Sequence, residues 1–459
     1  IFLSMAHHMS EGRALYAGVW DNKPPIPYLT YYLAYAPFKD IRVAHLLRLA
    51  VFVTSTFFLA LAMLGRCQDK RYVLIAMVPS LLILHHFNEQ TCSADAIGLV
   101  WLSAFLASLL YWRSWRWASF TSAMAVLCKE PFSLILLPWL LQGFFAYGEE
   151  VTAEHLRRRR WTMFLLFIAP FLLFLAYLLV TGSLDAYIYT VKLNFAYSMR
   201  NANESHLHFL FLSSATGQKL LLPLLLLMVL ITAVQKSGLT RRDDGLLAIC
   251  LFLSGLAAAL AKRDCLNYYI LAFAALALAL HRLFWFAHES FRDKGALWLR
   301  ALLGLGVAYF LFLFTLLGVG VWGQQRSSIA HWGWDYWNNY QKNEIYRELK
   351  DVAQKEDGLW IPYGGIYWLY PALGLESPIA MHFYFTYFHG KPHKEVRSRL
   401  LTEYEGLRKN PPKYIVDGEL RDTDILLSEP TMKQWLLDNY KIKAKKVSNG
   451  DRLVLWQHR

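Results

Sequence analysis

The sequence predicts an α-helical polytopic membrane protein with a C-terminal α/β domain, and three observations predict it. The 459 residues are 56% hydrophobic and 18% charged, against about 45–50% and about 25% in an ordinary soluble domain. Apolar runs long enough to cross a bilayer recur along the chain as far as residue 322. From residue 323 onward the long apolar runs stop and charged residues return.

Residues 1–40 are not an ordinary span. FLSMAHHMSEGRALY carries apolar residues at helical spacing with His7, His8, Glu11 and Arg13 on the remainder, which predicts a helix lying on the outer membrane surface. IPYLTYYLAYAPF is short and aromatic, a composition that suits the headgroup layer. Apolar runs then fall at 41–66, 72–87, 95–112, 161–181, 218–235, 245–261, 267–285 and 298–322. The run 116–147 is interrupted by Cys128–Lys129–Glu130–Pro131; proline lacks the backbone donor and fixes φ, so two shorter helices with a turn between them are expected. The transmembrane part, 41–322, then contains about ten spans.

Basic residues orient these spans. Arg66, Lys70, Arg71, Arg113, Arg116, Arg157 to Arg160, Lys236, Arg241, Arg242, Arg282, Arg292, Lys294 and Arg300 fall on one set of alternating ends. The other set holds only Lys129, Lys192, Arg200, Lys219, Lys262 and Arg263. Basic loops stay in the cytoplasm, so residues 1–40, the loop 85–95, the corner at Lys129, the loop 182–217 and the tail from 323 are expected outside. This distribution also accounts for the net charge of +13 without a nucleic-acid partner.

In the tail, GLWIPYGG reads as a strand and turn, HKEVRSRLLTEYEGLRKN as an amphipathic helix and PKYIVDG as a strand. PTMKQWLLDNY reads as a helix with proline in its first turn, and KIKAKKVSNGDRLVLWQ as a hairpin about Asn449–Gly450. The five cysteines form no CxxC pair, which argues against a zinc or thioredoxin-like site. Cys92, Cys128 and Cys265 fall toward one face, where a disulfide is open.

Polar groups at membrane depth or at its rim cost energy and mark function. In YAGVWDNKPPIPY, Asp21 and Asn22 precede Lys23, and Pro24 and Pro25 follow it. The prolines make a rigid, extended corner that either holds an ammonium to meet a phosphate or lets a lysine snorkel. In HHFNEQTCSADAIGLVWL, His85, His86, Glu89 and Asp95 crowd one short loop. Asp95 fits the first turn of a helix capped by Ser93. The same group of carboxylates and imidazoles suits acid–base chemistry or a divalent metal ion held by Asp95, Glu89 and His86. Lys129, pinned by Pro131, pairs with Glu130 or snorkels. Arg48 interrupts an apolar run and needs an anionic partner. In the loop 182–217, Asp185, Lys192, Asn194, Arg200, His206 and His208 are expected to be mostly solvated. HWGWDYWNNY, His331 to Tyr340, fits the aromatic belt at the end of the last span.

EGRALYAGVWDNKPPIPY, AHLLRLAVFVTS, TCSADAIGLVWL and VLCKEPFSLILLPWLL occur in this order. Over residues 1–150 they resemble the polytopic GT-C glycosyltransferases that use lipid-phosphate sugars, the aminoarabinose–lipid A transferases and protein O-mannosyltransferases. The resemblance implies that Lys23 binds the phosphate of a polyprenyl-phosphate sugar donor, that Asp95 belongs to the catalytic or metal-binding pair, and that Lys129 lines the same outer cavity. This chain has Asn22 where the aminoarabinose transferases carry a glutamate. The family's first span and the catalytic acid of its first outer loop have no counterpart from Ile1 onward: either they precede Ile1 or that acid has been lost.

The expected function is transfer of a sugar from a polyprenyl-phosphate donor to a hydroxyl of a lipid, glycan or protein acceptor, with inversion. It is placed at the periplasmic face of a bacterial inner membrane. Lys23, Arg48 and Lys129 are the donor-phosphate ligands, and Asp95 and Glu89 the catalytic carboxylates. Two alternatives are a lipid-linked sugar flippase, which needs charged groups on both sides of a pathway, and a noncatalytic homologue serving a larger assembly.

Overall fold

The structure, a computed structural model, describes residues 2–21, 23–66, 69–87, 93–145, 152–200, 217–235, 238–259, 270–293, 296–328, 340–362, 366–380, 394–419, 430–448 and 451–459. In chain order the helices are α1 (Phe2–Ser10), α2 (Pro25–Tyr35), α3 (Val43–Arg66), α4 (Lys70–Phe87), α5 (Ala94–Leu110), α6 (Trp115–Val126), α7 (Phe132–Phe145), α8 (Ala153–Val180), α9 (Leu184–Arg200), α10 (Leu222–Val234), α11 (Gly238–Ala259), α12 (Ile270–Arg292) and α13 (Leu297–Ser328). The tail adds α14 (Glu344–Lys350), β1 (Leu359–Trp360), α15 (Leu369–Leu373), α16 (Lys394–Lys409), β2 (Tyr414–Glu419), α17 (Pro430–Asn439), β3 (Tyr440–Ser448) and β4 (Asp451–His458). α3, α4 and α5 coincide with the predicted apolar runs to within two residues, whereas α8, α11, α12 and α13 each extend six to eight residues past theirs at one end, and the run 116–147 does divide around Lys129. Residues 184–200, expected as loop, form α9; the acidic Asp185 in its first turn favours a helix start through the backbone dipole.

Among the described residues three helices, α3, α8 and α12, are long and apolar enough to cross a membrane. Ala94–Leu110, Phe132–Phe145, Lys219–Val234 and Leu297–Leu313 are shorter apolar helices. On α3 and α8, Val53, Phe57, Leu165, Leu172 and Leu173 are exposed. Apolar surface of that kind, continued along helices of this length, matches a lipid environment.

The chain divides into two units: residues 1–47, 175–197 and 330–459, and residues 48–174 and 198–329. The second unit is built around α12, which buries every side chain from Ile270 to Phe284. A helix that is apolar on all sides belongs in a core. The alanines of α12 (Ala272, Ala274, Ala275, Ala277, Ala279) let α4, α5, α10, α11 and α13 pack against it. Near the C-terminal limit of this buried stretch, at Arg282, lies a buried ion cluster. Asp244 on α11 accepts from Arg282 Nε and Nη2 at 2.7 and 2.9 Å and from Arg66 Nη2 at 3.1 Å. The Arg282 guanidinium also stacks 4.6 Å from the Trp285 ring. Arg66 and Arg282, which the sequence reads as cytoplasmic flanking charges, are therefore internal: Arg282 is 1% exposed and both are tied to one carboxylate.

In the first unit, the tail forms a four-stranded sheet in the order β1-β2-β4-β3. β1 runs parallel to β2 in the register Leu359↔Tyr414. β4 is antiparallel to β2 and to β3, with a bulge in β3 between Ile442 and Ala444. Tyr414 and Val416, alternating along β2, join Leu359, Leu453 and Leu455 in a core closed by Ile345, Leu349, Tyr367, Leu369 and Tyr370. The predicted turn residues Asn449 and Gly450, and the stretch 331–339, lie outside the described residues.

α1 packs on α2 and α15, and here one expectation is corrected. His7 and His8, assigned to a polar face, are 2% and 0% exposed. His7 Nε2 donates to the Leu375 carbonyl at 2.9 Å, which leaves Nδ1 as the acceptor for the Tyr35 hydroxyl at 3.2 Å. The His8 ring lies edge-on to Tyr370 at 5.1 Å. The neutral His7 imidazole, with both nitrogens satisfied, is as much a core residue as a polar one. Glu11 instead bridges Lys39 and Lys355 at 2.7 and 3.0 Å.

These groups give the first unit a pH dependence. Burial holds the His7 imidazole below its ordinary 6.5, so on acidification the unfolded chain binds the proton first, and stability falls as pH drops below about 6.5. Hydrogen bonds from Lys39 and Lys355 hold the Glu11 carboxyl down at about 2, against an ordinary 4.5. The stabilisation from Glu11 is complete above its unfolded pKa and is lost as pH falls through about 2. Amide hydrogen exchange in α1, corrected for intrinsic rate, is expected to speed up between pH 7 and pH 5. An unchanged protection factor over that interval contradicts the buried neutral His7.

Candidate functional site

The Lys23 corner lies in the first unit and is built as the two prolines require. Pro24 is extended, with φ −62° and ψ 167°, and Pro25 opens α2, where its missing N–H costs nothing. Tyr16 OH donates to the Lys23 carbonyl at 2.7 Å, and Lys23 N–H donates to Tyr28 OH at 3.2 Å. Tyr28 OH in turn donates to Asp21 Oδ2 at 2.7 Å, the same oxygen that lies 3.3 Å from Lys23 Nζ. The ammonium sits 5.6 Å from the centre of the Phe2 ring, within cation–π range. Asp21 is fully buried, whereas the Lys23 side chain is 31% exposed. Burial, together with the neighbouring Asp21 charge, keeps Tyr28 protonated far above the usual phenol range, so it remains a donor.

The loop leading to this corner is fixed from several directions. Tyr16 holds φ +71°, a region that bulky side chains rarely adopt, and its N–H donates to the Val19 carbonyl at 2.6 Å. Trp20 Nε1 donates to Thr190 Oγ1 at 2.7 Å, and the Trp20 N–H donates to the Ala380 carbonyl at 2.7 Å. Leu15 N–H donates to the Tyr177 hydroxyl at 2.9 Å. Asn22 lies outside the described residues.

The second unit holds the other candidates. Asp95 lies in the first turn of α5, and the Ser93 hydroxyl caps that helix by accepting from Ala96 N at 3.2 Å. Lys129, in the turn between α6 and α7, donates to Asp95 Oδ1 at 2.6 Å. The pair is 8% and 21% exposed at Asp95 and Lys129 respectively. Close packing of α5 on α7 delivers it: a Cβ on Gly98, one turn beyond Asp95, would collide with the Phe132 ring. The sequence left Glu130 or solvent as the partner of Lys129, and the structure gives Asp95 instead. Arg48 is half-buried on α3.

Glu89 lies outside the described residues, and so does the side chain of His86 in the last turn of α4. Among the described residues no three or more His, Cys, Asp and Glu side chains gather into a metal-binding group. Asp95, the one metal candidate whose side chain is described, is paired with Lys129. Cys128 is buried, while Cys92 and Cys265 lie outside the described residues. Sequence reasoning missed Tyr16 and Tyr28 as partners of Lys23. Their only signal was an aromatic character that the headgroup layer also explains.

The described fold combines apolar helices of membrane-spanning length with a C-terminal mixed sheet. It is the fold of ArnT from Cupriavidus metallidurans. The crystal structure of that protein bound to undecaprenyl phosphate aligns with 99% of this chain and 92% of its own, with a TM-score of 0.52 and 14% identity. Its apo state aligns over the same shares with a TM-score of 0.50 and 15% identity. No protein-family model and no curated protein matches the chain.

Proposed function

We propose that the protein transfers a sugar from a polyprenyl-phosphate donor to an acceptor hydroxyl at the periplasmic face of a bacterial inner membrane. The observation that carries this reading is the anchored Lys23 corner in a chain with the fold of a protein that binds undecaprenyl phosphate. The acceptor oxygen attacks the anomeric carbon, and the bond from that carbon to the phosphate oxygen breaks. The polyprenyl phosphate leaves with the bonding pair, and one displacement inverts the anomeric centre. Lys23 stabilises the charge that grows on the leaving phosphate, and Arg48 and Lys129 are the further candidates for that role. Asp95, or Glu89, takes the acceptor proton. Asp95 is paired with Lys129 at 2.6 Å, so it acts as a base only once that lysine turns to another anion.

Mass spectrometry of envelope lipids and glycans from cells with and without the gene tests this reading. One sugar-modified species is expected to disappear with the gene. Identical profiles under conditions in which the protein is made contradict it.

A further inference from the structure

Lys23 differs from an ordinary rim lysine in how its backbone is held. Both of its backbone polar groups are anchored by tyrosine hydroxyls, the carbonyl by Tyr16 at 2.7 Å and the N–H by Tyr28 at 3.2 Å. Both tyrosines are fully buried. Tyr28 makes a second bond, to Asp21 Oδ2, and so holds the carboxylate beside Nζ. Tyr16 keeps its left-handed backbone while making its contact, and such strain persists only where the surroundings over-determine it.

We infer that Tyr28, Asp21 and Tyr16 are positioning residues that set the place of the Lys23 ammonium, and through it the preference for a phosphate-headed polyprenyl lipid over a neutral one. This rests on the phosphate role proposed for Lys23. The three residues need not touch the lipid. Tyr28 fixes the start of the lysine and the carboxylate at its end with one hydroxyl. Without that hydroxyl, Asp21 Oδ2 loses its nearest described donor and is free to draw the ammonium inward, away from a phosphate.

The test measures binding of undecaprenyl phosphate and of undecaprenol, its neutral counterpart, to the full chain in nanodiscs, with the melting temperature of each variant alongside. The readout is the ratio of the two affinities, which a loss of stability alone does not change. Tyr28→Phe is expected to lower the phosphate preference about tenfold to a hundredfold, the worth of a hydrogen bond to a charged group, while undecaprenol binding stays as in the wild type. Tyr16→Phe should act in the same direction, and it serves if Tyr28→Phe does not fold, whereas Asp21→Asn removes the charge that competes with the phosphate for the ammonium and is expected to raise the ratio. If Lys23→Ala loses the preference while Tyr28→Phe and Tyr16→Phe leave the ratio unchanged, the inference is overturned and the phosphate role stands. If Lys23→Ala keeps the preference, both fall.

Discussion

Lys23→Ala is expected to lower sugar transfer by roughly 100- to 1,000-fold, the loss seen when one preorganised donor to a developing oxyanion is removed. The size of the effect follows from where the charge appears. In the donor the phosphate diester carries one negative charge, and the leaving group gains a second as the glycosidic bond breaks. An ammonium already fixed beside it interacts more strongly with the transition state than with the ground state, and only that difference accelerates the step. Lys23→Arg keeps the charge but replaces a compact ammonium with a planar fork, so partial activity is expected. Lys23→Met keeps most of the stem and removes the charge, and it should match alanine. Turnover near the wild-type rate for Lys23→Ala, with the protein folded, removes Lys23 from the reaction.

Asp244→Ala is expected to be the most damaging single change to stability, at about 3–5 kcal/mol. Asp244 is 0% exposed and is shared by Arg66 from α3 and Arg282 from α12. Its removal leaves two guanidinium groups inside the second unit without their shared counter-charge. The penalty arises from stranding those charges rather than from the worth of the ion pairs, because a well-packed apolar replacement of a whole buried cluster is often neutral. Asp244→Leu combined with Arg66→Met and Arg282→Met should therefore recover much of what Asp244→Ala loses. Thermal melting in detergent measures both. A melting temperature for Asp244→Ala within about 1–2 °C of the wild type contradicts a cluster that ties α3, α11 and α12 together.

Hydropathy and proline made much of this fold legible. The Lys129 turn, the N-terminus of α5 with its Ser93 cap and the proline start of α2 follow from backbone chemistry within a few residues of sequence. The partners across space do not. Asp95 and Lys129 are 34 residues apart, and an apolar pattern says which face is buried without saying which charge it meets. The sequence places His7 and His8 on a polar face because imidazole suits both water and a hydrogen-bonded interior, and only Tyr35, Leu375 and Tyr370 decide between them. The basic-loop count treated Arg282 as a flanking charge because its partner, Asp244, is 38 residues away. Of the Lys23 corner, the sequence shows the prolines and the carboxylate. It does not show the two tyrosines that hold the lysine, since a hydroxyl at a ring's far end leaves no mark on periodicity.

The most direct test of the proposed reaction is to follow its leaving group. Purified protein in nanodiscs is incubated with membranes that supply polyprenyl-phosphate sugars and acceptor, and the free polyprenyl phosphate released is quantified by mass spectrometry. Time-dependent release that accompanies a sugar-modified acceptor, and that disappears with Lys23→Ala, is the predicted result. Release at the same rate in Lys23→Ala, or a sugar-modified acceptor with no polyprenyl phosphate released, contradicts it.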